Sequence, residues 1–405
     1  MTEVDMAWLA VSGVVLVIAA GAVALLRWRR RDQEFVGVTP GVVPAPGQPR
    51  RVRRVRGGQE WKGPVAVAFA PPAGIGPAVA GTLVDGKVDG RDLAAMLVDL
   101  SLRGFFTLEP LNGDGTKGRA KDGSAKSDWL FVRNQNPPRE PVSPAERRML
   151  DAVFSHGDQV PLSTLKDNLG LSLREAQIDL YREMIDRGWY RKHPRSRSAW
   201  TTLFGILMLI VTAVLAGGAY SVYARDDDPY LFALPVATLV ASVLLFTLGR
   251  GRSARTAEGT AARIQTLGFE RYLATAEADQ IRYEEAAGLF TRYLPFAIVF
   301  GLADRWAKVV GDALRQGRLE RGLDNLEYAS DLTSMGMDAI SLIGDVGQGI
   351  GALIDLGGDI DVALLDISDA FESFTSSASD LFDSADGCSD GCDGCDGCDL
   401  GCIDF

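Results

Sequence analysis

Three runs of the chain carry no charged residue: Met6–Leu26, Ser198–Ala224 and Pro229–Gly249. At ~1.5 Å rise per residue, about twenty residues cross a ~30 Å hydrocarbon layer. A core helix of a soluble protein keeps a polar stripe, and these runs have none. They predict three transmembrane helices, at 6–26, 198–224 and 229–249. The flanks orient them. Arg27, Arg29, Arg30 and Arg31 follow the first run, whereas Glu3 and Asp5 precede it. Arg191–Arg197 leads into the second run, Arg250–Arg255 leaves the third, and an acidic turn at 225–228 joins them. Because basic flanks stay inside, residues 1–5 and the turn are expected outside and everything else in the cytoplasm. The acidic start and the length of the first run fit a retained anchor rather than a cleaved leader. The expected protein is a multi-pass plasma-membrane protein.

Between the first two runs the pattern changes to short amphipathic elements. Residues 27–62 read as a basic juxtamembrane linker, rich in Pro and Gly at Val38–Pro49. In 63–135, Asp89 is placed as an N-cap with Asp92 three positions later, and Leu93, Met96, Leu97 and Leu100 recur at helical spacing. Gly104 then ends the helix. Phe105–Pro110 and Asp128–Arg133 predict strands joined by the polar stretch Asn112–Ser127. In 136–197, Ser143-Pro144-Ala145-Glu146 is a capping box with proline at the first helical position. A strand at Val160–Ser163 and a short helix at Thr164–Asn168 follow. A second capping box, Ser172–Glu175, opens a helix with Ile178, Tyr181, Met184 and Ile185 inward, and Trp189-Tyr190 begin a strand. Both segments have winged-helix-like order. The fold class expected is therefore a mainly α membrane protein, with α+β winged-helix-like units at 63–135 and 136–197 and a helical C-terminal module at 250–321. Leu294–Ala303 is too short to span and reads as a buried helix, with a segment dipping into the membrane interface beside Trp306 as the alternative.

Charge divides the chain. The net charge is −11, but Gly322–Phe405 holds 19 acidic residues and no Lys or Arg, so the remainder is net basic. Nine arginines lie between Arg27 and Arg56. Arg27, Arg29, Arg30 and Arg31 are candidate contacts for lipid headgroups, each worth ~1 kcal/mol at an anionic surface. Residues 322–379 read as an acidic amphipathic helical segment that docks on protein, including a second copy of itself. The candidate recognition helix sets Arg174, Arg182 and Arg187 against Glu175, Asp179, Glu183 and Asp186. That balance does not neutralise phosphates, so no nucleic-acid partner is expected.

All five cysteines fall in the last nineteen residues. Cys388, Cys392, Cys395, Cys398 and Cys402 contain the spacing C-x2-C-x2-C-x3-C used for iron–sulfur ligation. Aspartates between them oppose thiolate formation and an anionic cluster. No apolar residue separates Cys388 from Cys398 to exclude water. Residues 380–405 are expected to be a disordered Asp/Gly/Cys tail with no dedicated cofactor, and zinc or another soft metal is the alternative ligand. The two histidines, His156 and His193, lack metal-ligand spacing, and no phosphate-binding glycine motif occurs. Glu270, Glu277, Glu284 and Glu285 read as solvated faces. No catalytic constellation is visible.

Two longer stretches carry a resemblance. PPAGIGPAVAGTLVDGKVDGRDLAAMLVDLSLRGFFTLEP (Pro71–Pro110) is similar to the first cytoplasmic motif of a bacterial predicted-membrane-protein family, number 2207 in the domain-of-unknown-function series. Thr256–Glu285 and Arg292–Lys308 resemble that family's segment after the membrane hairpin. The resemblance spans Pro71 to Leu314. It implies an integral membrane protein with cytoplasmic modules on both sides of a hairpin, and no activity. Members usually begin with an extracellular β-domain, which five residues cannot supply, so its role does not carry over. The function expected is a membrane-tethered interaction or scaffold module that meets an unidentified cytoplasmic protein at the bilayer. A metal-binding or redox protein acting through the tail, and a membrane-bound transcription regulator, are the alternatives.

The orientation is testable. With the native cysteines changed to serine, Asp227→Cys is expected to react with a membrane-impermeant maleimide in intact cells, and Gly115→Cys only after lysis. The reverse pattern would invert the topology.

Overall fold

The computed structural model describes residues 3–111, 128–168, 170–191, 199–226, 229–248, 253–277, 281, 283–320, 375–376 and 378–379. The chain divides into two compact units. One joins Met1–Pro64 to Arg187–Ala261, and the other joins Val65–Asp186 to Ala262 onward.

The apolar runs fold into α1 (Glu3–Arg29), α7 (Ala199–Asp226) and α8 (Ala233–Leu248), all in the first unit. Among the described residues two helices, Met6–Arg29 and Ile206–Tyr223, are long and apolar enough to cross a membrane. The third run differs from the expectation of a full span. Its α-helix is 16 residues long, about 24 Å at ~1.5 Å per residue, because Pro229–Phe232 forms a 3-10 turn ahead of it. α8 packs against both α1 and α7. Its buried positions are small: Ala237, Thr238, Ala241 and Ser242. Small side chains let backbones approach where lipid supplies no hydrophobic drive. Thr212 Oγ1 donates to Thr238 Oγ1 at 3.1 Å, and Thr238 passes its own proton to the Pro235 carbonyl at 2.9 Å. The opposite faces are exposed and apolar, including Val17, Ile18, Val214 and Val236.

The segments at the ends of these helices are laced together. β1 (Gln33–Phe35) and β2 (Val52–Arg54) pair antiparallel, with Glu34 opposite Arg53 and a 2.8 Å ion pair between them. The linker read at 27–62 thus contains a folded ribbon. Just before β1, Asp32 is fully buried, as is Arg255, which follows α8. The Arg255 backbone N–H donates to Asp32 Oδ1 at 2.8 Å and its Nη1 to Oδ2 at 3.2 Å. Arg255 Nη1 also reaches Glu60 Oε1 at 3.3 Å, and the guanidinium lies over the Tyr190 ring. The Asp32 main chain accepts from Val55 and donates to the Gln59 carbonyl. Next to Arg255, Thr256 Oγ1 caps α9 (Ala257–Thr275) by accepting from the Gly259 N–H, while Thr256 N–H donates to the Trp189 carbonyl. A Cβ on Gly259 would lie 2.4 Å from that carbonyl, so no larger residue fits.

The second unit holds α2 (Pro77–Asp85), α3 (Gly90–Leu102), β3 (Phe106–Leu111), β4 (Asp128–Arg133), α4 (Pro144–Val153), β5 (Gln159–Pro161), α5 (Leu162–Asn168) and α6 (Gly170–Asp186). The later part of α9, α10 (Tyr283–Val299) and α11 (Ala303–Glu320) complete it. The end of α3 follows its sequence. Gly104 takes φ +84°, its N–H donates to the Ser101 carbonyl, and the Phe105 N–H reaches back to Leu100. This is the Schellman closure that a left-handed glycine permits. The capping box at Ser143 is present in both directions, at 2.6 and 3.2 Å.

The two segments expected to be separate winged-helix-like units contribute to one sheet. β5 pairs with β4 (Phe131 opposite Val160), so segments from both proposed units share one antiparallel sheet ordered β3-β4-β5. Tyr190 forms its bridge with Arg255 and not with β5. The second capping box also fails, because α6 begins at Gly170 and Ser172 lies inside its first turn. Glu175 accepts from Arg148 of α4 instead, at 2.7 Å. The buried face of α6 is Leu173, Ala176, Leu180, Tyr181 and Met184, whereas Ile178 is exposed. A helix packed on two neighbours, α4 and α2, turns a different stripe inward than its most apolar one. Leu294–Ile298 is buried as expected, whereas Val299 and Phe300 are partly exposed and Gly301 is exposed. Trp306 is fully buried beside Tyr272 and Tyr293, which overturns its alternative place at the membrane interface.

The buried pair generates a first prediction on stability. Asp32→Ala leaves the Arg255 charge without its carboxylate, and a loss of about 3–5 kcal/mol is expected. The double change Asp32→Leu/Arg255→Met should recover most of it. Thermal unfolding of the detergent-solubilised protein checks both.

Candidate functional site

In Asp85-Gly86-Lys87-Val88-Asp89-Gly90-Arg91-Asp92 the carboxylates fall at steps of four and three. The segment ends α2 with Gly86 at φ +82° and starts α3 with Asp89 in extended conformation as N-cap. This turn folds the three aspartates towards Glu270 of α9 and Val299–Phe300 at the end of α10. Together with Gly81, Arg91 and Ser379 they line a cavity of about 440 Å³ within the second unit.

Asp92 is the buried member, 4% exposed. Burial chiefly, then the charges of Asp89 and Asp85, push its carboxyl well above the usual range. Thr82 Oγ1 lies 2.8 Å from the Ala78 carbonyl and 3.1 Å from Asp92 Oδ2, and it has one proton to give. The Thr82 hydroxyl contact lowers the Asp92 pKa, against the larger effect of burial. Gly81 makes the approach possible, since a Cβ there would sit 2.0 Å from Asp92 Oδ1 and 2.6 Å from Val299 Cγ1. Glu270 is half-buried, and burial raises its pKa against the pull of Arg263. It is not the solvated residue expected from sequence. Further along α3, burial raises Asp99 to about 6 despite its 3.2 Å pair with Arg103. The site offers carboxylate acceptors, a buried carboxyl with raised pKa and an apolar wall. That combination suits a cationic or hydrogen-bond-donating group.

Arg27 and Arg29 are exposed at the end of α1. Arg30 is half-buried, and burial lowers its pKa; Arg31 is partly exposed next to the buried Asp32. The structure also brings an arginine from far along the chain. Arg54 donates to the Trp28 and Arg29 carbonyls and lies 4.5 Å over the Trp28 ring. Cys388, Cys392, Cys395, Cys398 and Cys402 lie outside the described residues, as do His193 and the amphipathic pattern around Ile340–Phe371. Among the described residues no group of three or more His, Cys, Asp or Glu side chains is arranged to hold a metal.

Two signals for the cavity were present but divided. The aspartate spacing is visible in the chain, yet capping and turn roles account for it locally. Nothing in the sequence links it to Glu270.

A family model described as the C-terminal domain of a predicted membrane protein (DUF2207) matches residues 66–309. No curated protein and no solved structure matches the chain.

The raised acids set a pH dependence. A carboxyl whose folded pKa is raised stabilises fully below its ordinary pKa, and that stability is lost as pH rises through the folded value. For Asp99 the window is about pH 4 to 6 and the loss about 3 kcal/mol. Asp99→Asn is expected to flatten the stability curve there, and Asp92→Asn to flatten it above the ordinary carboxylate range. Melting temperatures measured from pH 4 to 8 would refute this if each variant ran parallel to the wild type.

Proposed function

Since the chain belongs to the DUF2207 family of predicted membrane proteins, we propose that it is a membrane-tethered interaction module working on the cytoplasmic face of the plasma membrane. The observation that carries this reading is the outward apolar surface of α1, α7 and α8, whose following and preceding segments meet at the buried Asp32–Arg255 pair. One unit is an anchor with three spans, N-terminus outside. The shortened third helix completes its crossing with the 3-10 turn at Pro229–Phe232, which rises ~2 Å per residue. The other unit is the recognition module, and its acidic cavity receives a basic group of the partner protein. The arginines in the flanks of all three apolar runs support the orientation.

Electrostatics give the partner its character. Asp85, Asp89 and Glu270 at the cavity favour a lysine or arginine side chain, and the wall of Val299 and Phe300 covers its aliphatic stem. Such a contact steers association and weakens with salt. Chemical cross-linking in isolated membranes, followed by purification of the full-length chain, tests the reading. Asp89→Asn/Glu270→Gln is expected to reduce the cross-linked partner at least several-fold while leaving the protein in the membrane fraction. A partner set unchanged by both substitutions would refute the cavity as the contact.

A further inference from the structure

We propose that the end of α1 is a binding site for the phosphates of anionic phospholipid headgroups, formed by Arg27, Arg29 and Arg56 around Trp28. The proposal rests on the reading of α1 as a membrane span. It adds a ligand class, and a residue that the chain supplies from beyond the helix.

The arrangement follows from three observations. First, successive helical residues are ~100° apart, so Arg27 and Arg29 leave the helix on either side of Trp28 and do not face each other. Second, Arg54 is fixed on the Trp28 side by its hydrogen bonds to the Trp28 and Arg29 carbonyls and by its stacking on the indole. Those carbonyls are at the negative end of the helix dipole, which favours a cation there. Two residues later Arg56 is exposed, and between them the buried Val55 donates its N–H to the Asp32 carbonyl. The returning segment is therefore tied to the helix end at Arg54 and to Asp32 at Val55, and the exposed Arg56 follows directly in the chain.

Third, these guanidiniums, unlike those of Arg50 and Arg53, have no protein counter-ion among the described residues. Arg50 pairs with Glu258 at 3.0 Å and Arg53 with Glu34 at 2.8 Å. Arg27, Arg29 and Arg56 make no ion pair among the described residues, and all three are exposed. Exposed guanidiniums at the end of an apolar span lie where headgroup phosphates are densest, and each can bind a phosphate through two parallel N–H donors. Their spacing around the helix selects the source of the phosphate. A single soluble anion needs cations that converge on one point, whereas cations spread about a helix at one level match a layer of headgroups. Trp28, half exposed, supplies the amphipathic ring that favours the same depth.

The test uses full-length protein in nanodiscs of phosphatidylcholine with a minority of phosphatidylglycerol. Native mass spectrometry then reads the lipids that stay bound on release. The wild type is expected to retain phosphatidylglycerol several-fold above its bulk share. Arg27→Gln/Arg29→Gln/Arg56→Gln should return to the bulk ratio, and Arg56→Gln alone should lose up to about fivefold. The paired Arg50→Gln should behave as wild type, and the corresponding triple lysine variant should keep most of the enrichment. Enrichment equal in the wild type and the triple glutamine variant, or absent from the wild type, would overturn the proposal. Extraction with alkaline carbonate separates this from failure of the anchor. A wild-type chain released from membranes would refute the span itself, whereas a retained chain without lipid selectivity refutes only the headgroup site.

Discussion

The buried contact between Asp32 and Arg255 is the constraint on which the first unit depends. Both side chains are removed from water, a state that costs several kcal/mol per ion unless geometry repays it. Here the backbone N–H and Nη1 of Arg255 meet the two oxygens of Asp32, Nη1 also reaches Glu60, and the guanidinium lies over the Tyr190 ring. Asp32 follows α1, Arg255 follows α8 and Tyr190 precedes α7 in the chain, so one electrostatic contact joins segments neighbouring three apolar helices. The ribbon β1–β2 is held by the same residues, since the Asp32 backbone bonds to Val55 and Gln59 and the Gln33 N–H donates to the Arg255 carbonyl.

In the second unit the comparable constraint is steric. Gly81 lets Asp92 and Val299 close on α2, and Gly268 lets the strand-like stretch around Ala66–Ala68 lie on α9, where a Cβ would come within 2.4 Å of the Ala66 carbonyl. Aromatic side chains fill the space beside them, with Phe269 against Tyr293 and Phe296, and Phe69 against Tyr272. The same packing excludes water from Asp92, and that burial raises its carboxyl pKa. Cavity and core are products of the same close approach.

Local chemistry was legible in the chain and long-range pairing was not. The Gly104 closure, the Ser143 capping box and the strands near Phe106 and Asp128 depend on residues within a few positions, so their signals survive in sequence. The sharing of one sheet by β4 and β5 does not, since nothing in Val160 names Phe131 as its neighbour. Ile178 was misplaced because periodicity ranks stripes by hydropathy and takes no account of which helices pack against them. The same division holds for the sites. The arginines after α1 were evident from their number, whereas the contact of Arg54 with the end of the helix arises only in the fold. Glu270 joins the aspartates only through the fold.

The separation of Asp32 from Arg255 has a consequence for biogenesis. The partners are 223 residues apart, so at roughly 5–20 residues per second the ribosome takes on the order of 10–45 s to make the second after the first. Throughout that interval the first helix can insert, but its following carboxylate has no cation to bury with. A nascent chain that stops short of residue 255 leaves the Asp32 carboxylate without that cation. Completion of the chain is thus registered in its own electrostatics, before the ribosome has released it.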